Sequence, residues 1–216
     1  MRGDKIFVKD WHRRAAAGIV PHIEGRLVDK LTLSVAGESG AGKSEIAVAL
    51  KESLEARGFA TGILQADDYF IYMSKVCDAV RRKAPELVGP GEVKLDFIDC
   101  HLRSFKAGAV DLYKPVGVYE EARFDREIMP VADLRVLIAE GTYCTLLEFA
   151  DFRVFVARDF HQTQEDRRAR GRDLEDEFTN SILQREHEFI REHKPRADFI
   201  VHEDGSVGVK QPARDR

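Results

Sequence analysis

Short apolar runs alternate along this chain with segments whose apolar residues recur every three or four positions, and that alternation predicts strands separated by helices. The first run, LTLSVA at 31–36, leads into a glycine-rich turn, after which Ile46, Ala47, Leu50 and Leu54 mark one helix face that Gly58 ends. A second strand spans 60–66 and runs straight into Asp67-Asp68-Tyr69-Phe70. Residues 71–94 are charged and punctuated by Pro85, Gly89, Pro90 and Gly91, so they read as a long loop or a short helix plus loop. Asp96 opens a helix face of Ile98, Leu102 and Phe105 that stops at Gly108, and as a bare structural feature it is an N-cap. Residues 109–130 read as an inserted hairpin.

The run LRVLIA at 134–139 is the clearest buried strand, and it ends in Glu140-Gly141. A fourth strand covers 152–157 and a basic stretch covers 167–173. Phe178, Ile182, Phe189 and Ile190 line a helix that stops before Pro195, and a fifth strand covers 197–201. Residues 1–30 form an irregular or partly helical lead-in packed on the domain, broken by GIVP at 18–21; from Gly205 to the end the expectation is a solvated tail. Strands alternating with helices imply an α/β three-layer α/β/α sandwich around a mostly parallel, five-stranded sheet.

The turn between the first strand and its helix is GESGAGKS: Gly37, Glu38, Ser39, Gly40, Ala41, Gly42, Lys43 and Ser44. In strand–turn–helix context this is a P-loop. Glycines permit close backbone approach, consecutive N–H groups and the helix N-terminus face an anion, Lys43 reaches the β- and γ-phosphates, and the Ser44 hydroxyl takes one Mg²⁺ position. ATP and Mg²⁺ are the expected cofactors. Glu140, at the end of an apolar strand, suits a second metal-side position. Adjacent Asp67 and Asp68 would point to opposite faces of a continuing strand, so one of them faces the phosphates.

Composition narrows the class. With 216 residues, 44% hydrophobic and 33% charged, the chain has material for one domain. It has no apolar run of about 18 residues, which predicts no membrane partner. A net charge of −4 argues against a nucleic-acid partner. The three cysteines, Cys77, Cys100 and Cys144, lack C-x-x-C spacing, and the N-terminal residues lack a secretory apolar stretch, so the cytoplasm is expected. His187-Glu188 lacks the second histidine of H-E-x-x-H, because position 191 is Arg191.

GESGAGKS, the Asp-Asp-Tyr-Phe after the second strand, Glu140-Gly141 and RRARGRDLE at 167–175 occur in the order found in the uridine kinase and phosphoribulokinase family, which the chain resembles from about 31 to 201. The resemblance implies a P-loop kinase domain over 31–204, with an insertion at about 71–130 and a lid at about 158–173. It implies transfer of the ATP γ-phosphoryl group to a hydroxyl of a small metabolite. On it, Lys43 and Asp67 are catalytic, Asp67 taking the hydroxyl proton and also helping to hold Mg²⁺ with Ser44 and Glu140. Asp96 corresponds to the acid that holds ribose hydroxyls, and Arg170 and Arg172 to the lid arginines.

Tyr69, Phe70 and Tyr143 are candidates to wall the acceptor. The stretch around Asp96 departs from the family's Phe-Asp-His-Pro, reading Leu95-Asp96-Phe97-Ile98. The acceptor is therefore open among a uridine- or cytidine-like nucleoside, nicotinamide riboside, pantothenate, glycerate, and a sugar or sugar phosphate. A sugar phosphate would need added cations, for which Arg81, Arg82, Lys114 and Arg123 are candidates. A non-kinase ATP-binding regulator is the alternative class, and a homo-oligomer is allowed.

Overall fold

The structure, a computed structural model, describes residues 6–118, 121–170 and 176–210. In chain order its elements are α1 (Asp10–Ile23), β1 (Leu31–Gly37), α2 (Lys43–Glu55), β2 (Thr61–Gln65), α3 (Ser74–Lys83), α4 (Leu95–Lys106), β3 (Asp111–Val118), β4 (Arg123–Pro130), β5 (Val136–Glu140), β6 (Phe152–Val156), α5 (Gln164–Arg170), α6 (Glu177–His193), β7 (Phe199–Val201) and β8 (Val207–Val209).

The main sheet runs β2-β5-β1-β6-β7-β8. All its pairings are parallel except β7–β8. Its central strands are buried on both faces, and the period of two sorts their side chains between two cores. Leu33 and Val35 of β1 and Val136 and Ile138 of β5 pack with α1 and α2. Leu137 and Ala139 pack on the other face with Ile98, Leu102 and Phe105 of α4 and Ile190 of α6. This is the expected α/β/α sandwich, with the expected strands in place. Among the described residues, no helix is long and apolar enough to cross a membrane.

The stretch from Gly205 read as a solvated tail holds a sixth strand whose residues are half-buried to exposed, and 211–216 lie outside the described residues. Gly205, at φ +83°, closes a tight turn in which its N–H donates to the His202 carbonyl, and the chain then returns along β7 as β8. A Cβ at Gly205 would lie 2.4 Å from the Trp11 carbonyl oxygen, so only glycine lets this turn sit against α1. Gly18 and Pro21 do not break the lead-in. Pro21 falls in the last turn of α1, and Ala15, Ala16, Ile19, Val20 and Ile23 bury a continuous stripe against the core.

Within 71–94, α3 is held by Arg81, which bonds Glu92 at 2.6 and 3.0 Å and reaches Glu186 of α6 at 3.2 Å. β3 and β4 form a separate two-stranded sheet. That hairpin stands where the insertion was expected.

Candidate active site

The site lies at the carboxyl ends of β1, β2 and β5, where an open α/β sheet leaves its crevice. Gly40 (φ +75°) and Gly42 (φ +99°) shape the loop after β1. A Cβ at Gly40 would lie 2.8 Å from Cγ of Arg167, and one at Gly42 would lie 2.9 Å from Nε2 of His12. Both glycines are therefore required by conformation and by space. Gly42 is the N-cap of α2, so the unsatisfied N–H groups of the first helical turn open onto the loop. Lys43 curls back over it, its Nζ donating to the Glu38 carbonyl at 2.8 Å.

The Ser44 hydroxyl donates to Glu140 Oε1 at 3.0 Å, joining the helix start to the end of β5. Glu140 is 5% exposed, and its carboxyl is pushed up to about 7. Burial is the main cause, Asp67 adds repulsion, and Lys43 and the Ser44 hydrogen bond oppose it. Asp67 stands beside Glu140 because β2 and β5 are paired neighbours, Gln65 opposite Glu140. Two carboxylates and a hydroxyl form an all-oxygen donor set whose mutual repulsion a hard divalent cation would relieve. Among the described residues there is no group of three or more His, Cys, Asp or Glu placed to cage a metal.

The two aspartates separate because β2 ends in a 3-10 turn over Ala66–Tyr69 instead of continuing as a strand. Asp68 is 3% exposed and turns to the hairpin, accepting the Gly117 N–H at 2.9 Å and the Lys114 ammonium at 3.2 Å.

Other expected positions fare differently. Tyr69 is fully buried, its hydroxyl 2.8 Å from His101 Nδ1, and Tyr143 is 1% exposed in the same core. This corrects the reading of both as acceptor walls: each is a core ring whose apolar face is spent on packing. Phe70 is half-buried, bridging to Val93. Asp96 is exposed in the first turn of α4, whose N-cap is Lys94, so Asp96 is not the cap. Arg170 ends α5. Its side chain and all of Arg172 lie outside the described residues.

The cations proposed for a sugar phosphate are engaged. Arg81 pairs with Glu92 and Glu186, Lys114 with Asp68 and Glu127, Arg82 with Asp176, and Arg123 with Glu121 and Asp125.

Sequence reading missed how the loop is anchored. The Glu38 carboxylate is 6% exposed, accepts the Phe160 N–H at 2.7 Å and lies 2.7 Å from His187 Nδ1 on α6. Thr163 Oγ1 donates to the Ser39 carbonyl at 2.9 Å. Arg167 donates to the Phe160 carbonyl at 2.5 Å and to Thr163 Oγ1 at 2.6 Å. The Glu38 and Thr163–Ser39 contacts join residues more than a hundred positions apart, and no local pattern marks them. Next to them Phe160, His161, Gln164, Arg167, Asn180 and Gln184 line a cleft of about 450 Å³ between α5 and α6.

The chain is similar to known proteins over most of its length. Uridine kinase of Staphylococcus epidermidis is 26% identical over 193 residues, spanning 82% of this chain and 89% of that protein. Uridine kinase of Ligilactobacillus salivarius is 28% identical over 189 residues, spanning 82% and 87%. The solved structure of a possible uridine kinase from Bacillus stearothermophilus shares the fold with a TM-score of 0.60 at 19% identity, covering 87% of this chain and 97% of that one. The family model of the phosphoribulokinase and uridine kinase family matches residues 32–209, from the phosphate loop and its paired carboxylates to β8, and the chain is a member of that family of P-loop kinases.

Proposed function

We propose that the chain transfers the γ-phosphoryl group of ATP to a hydroxyl of an uncharged, nucleoside-like acceptor such as uridine or cytidine. The observation that carries the reading is the Ser44–Glu140 hydrogen bond of 3.0 Å beside Asp67, which gathers a metal-side oxygen set and a base at the mouth of a phosphate loop. Mg²⁺, held by Ser44, Asp67, Glu140 and the nucleotide's own oxygens, would supply positive charge against the transferring group.

Lys43 binds the β- and γ-phosphates, and the loop amides hold the remaining oxygens. Asp67 accepts the acceptor's hydroxyl proton as the new O–P bond forms and the bond to the β–γ bridging oxygen breaks, its electron pair leaving on ADP. Arg170 and Arg172, at the end of α5 and just past it, are the arginines to close over the phosphates. Phosphoryl transfer asks for positioning and charge more than covalent chemistry, and these residue types supply both.

An uncharged acceptor is favoured because Arg81, Arg82, Lys114 and Arg123 are all paired with carboxylates. A second phosphate would have to displace those partners. Asp96, exposed at the start of α4, is free to meet ribose hydroxyls from solvent. A kinase fuelled by ATP and bearing free thiols suits the cytoplasm.

The test is ADP formation from Mg²⁺-ATP with uridine, cytidine, nicotinamide riboside, pantothenate, glycerate or ribulose 5-phosphate supplied singly. The expected result is a rate that depends on uridine or cytidine. A rate that rises only with ribulose 5-phosphate would overturn the uncharged acceptor, and one indifferent to every compound would favour a non-kinase ATPase.

A further inference from the structure

Two neighbouring residues of α6 hold two different parts of the site. Arg185, Glu186 and Phe189 turn toward the 81–92 segment. Arg185 donates to the Glu86 carbonyl at 3.1 Å, Glu186 Oε1 accepts from Arg81 at 3.2 Å, and a Cβ on Gly89 would lie 3.2 Å from the Phe189 ring. His187, about 100° round the helix from Glu186, turns to the phosphate loop instead, with its Nδ1 2.7 Å from Glu38 Oε1. A carboxylate only accepts, so the His187 ring donates from Nδ1.

The 81–92 segment is itself tied to the proposed base. The Glu92 carboxylate takes Arg81 at 2.6 and 3.0 Å, while the Glu92 carbonyl accepts the Ile71 N–H at 2.8 Å. Val93 bridges Phe70, and the Lys94 N–H donates to the Tyr69 carbonyl at 3.0 Å. Asp67 shares the 3-10 turn of Tyr69. Contacts therefore run from Asp67 through 69–71, Glu92, Arg81, Glu186 and His187 to Glu38 in the phosphate loop. Glu38, Glu92 and Glu186 are all buried. Buried ion pairs add little net stability, yet losing one partner is costly, so this chain of contacts has one well-defined arrangement.

We propose that Glu186 and His187 are positioning residues, a brace through which the segment behind Asp67 holds the phosphate loop in its nucleotide-binding shape. His187 acts through Glu38, and Glu186 through the seating of α6 on Arg81. Loop amides bind an anion only when they converge, so a loop released at Glu38 loses affinity while keeping every group that meets the phosphates. The brace rests on the phosphate-loop reading above.

ADP binding to the intact protein, measured by calorimetry, tests the brace without any acceptor. Glu186→Gln keeps the Arg81–Glu92 pair, and His187→Leu removes the donor to Glu38. Each is expected to weaken ADP about fivefold. Because both act through one brace, the double variant should lose about five- to tenfold, short of the roughly 25-fold that independent effects would give. His187→Asn, whose amide nitrogen can stand where Nδ1 donates, should bind ADP within about twofold of wild type.

Wild-type ADP affinity in Glu186→Gln, whatever its urea midpoint, would leave Glu186 a structural ion pair and overturn the brace. Multiplying losses in the double variant would overturn it too. So would His187→Asn behaving like His187→Leu, which would assign the effect to ring packing on Phe160, 5.8 Å away. Failure of the wild type to bind ADP would bring down the phosphate-loop reading and the brace with it, an outcome distinct from any confined to the variants.

Discussion

The Asp68 carboxylate accepts the Gly117 backbone N–H at 2.9 Å and lies 3.2 Å from the Lys114 ammonium, so it ties the end of β2 to β3 of the hairpin. All three groups are buried, and the aspartate's charge is spent on structure. Asp68→Ala removes one of the two carboxylates on the Lys114 ammonium, which keeps Glu127 and the Pro115 carbonyl, and leaves the Gly117 N–H unsatisfied. It should cost about 3 kcal/mol, read from urea unfolding, with the hairpin's amides losing hydrogen-exchange protection first. A loss below about 0.5 kcal/mol would contradict the anchoring role.

Asp67 carries the opposite expectation. Its charge helps to push the Glu140 carboxyl up, so neutralising it removes repulsion from the folded state. Asp67→Asn should leave the unfolding midpoint unchanged or higher while cutting kcat by a factor on the order of 10² to 10⁴. Lys43→Ala should likewise abolish turnover without unfolding the chain. Turnover of Asp67→Asn within about tenfold of wild type would remove Asp67 as the base.

Glu38 holds the phosphate loop to the segment after β6 and to α6 through Phe160 and His187. Glu38→Ala frees both contacts and leaves a buried N–H without an acceptor. The expected outcome is a loss of about 2 kcal/mol in stability and a rise of about tenfold in KM for ATP. Unchanged KM would show that the loop keeps its shape without this anchor.

His12 makes stability depend on pH. Its Nδ1 accepts the Lys9 N–H at 2.8 Å, which requires the neutral ring, and it is 3% exposed. Burial, with Lys9 and Arg158 nearby, lowers its pKa from 6.5 to about 4 against the opposing pull of Glu45 and Asp166. Between those values the unfolded chain binds a proton that the folded chain refuses. Stability contributed by His12 is therefore complete above about pH 7 and falls as pH drops toward 4, by about 3 kcal/mol in all. The difference in unfolding free energy between wild type and His12→Gln, measured from pH 4 to 8, should show this slope. Parallel curves would contradict it.

Legibility in the sequence followed the range of the forces involved. The strands of the parallel sheet and the phosphate loop were readable because each is a local pattern, apolar runs buried on both faces and a glycine turn before a helix. β8 was not, because three residues of Val-Gly-Val carry little propensity, and their pairing depends on the turn at Gly205 fitting under Trp11. α1 was underread because Pro21 looks like a break, yet in the last turn it costs little against a buried stripe of five apolar residues, Ala15, Ala16, Ile19, Val20 and Ile23. Tyr69 and Tyr143 were misread because an aromatic beside a motif looks alike whether it faces the crevice or the core. Glu38, Thr163 and His187 meet only through tertiary packing, and adjacency in the chain gave no hint of it.

Phosphoryl transfer to a hydroxyl is read plainly by ³¹P NMR of the products formed from Mg²⁺-ATP and a nucleoside acceptor. A new phosphomonoester resonance is expected to grow in step with ADP and to be absent with Asp67→Asn. ADP accompanied only by inorganic phosphate would contradict it, since the same loop would then be passing the phosphoryl group to water.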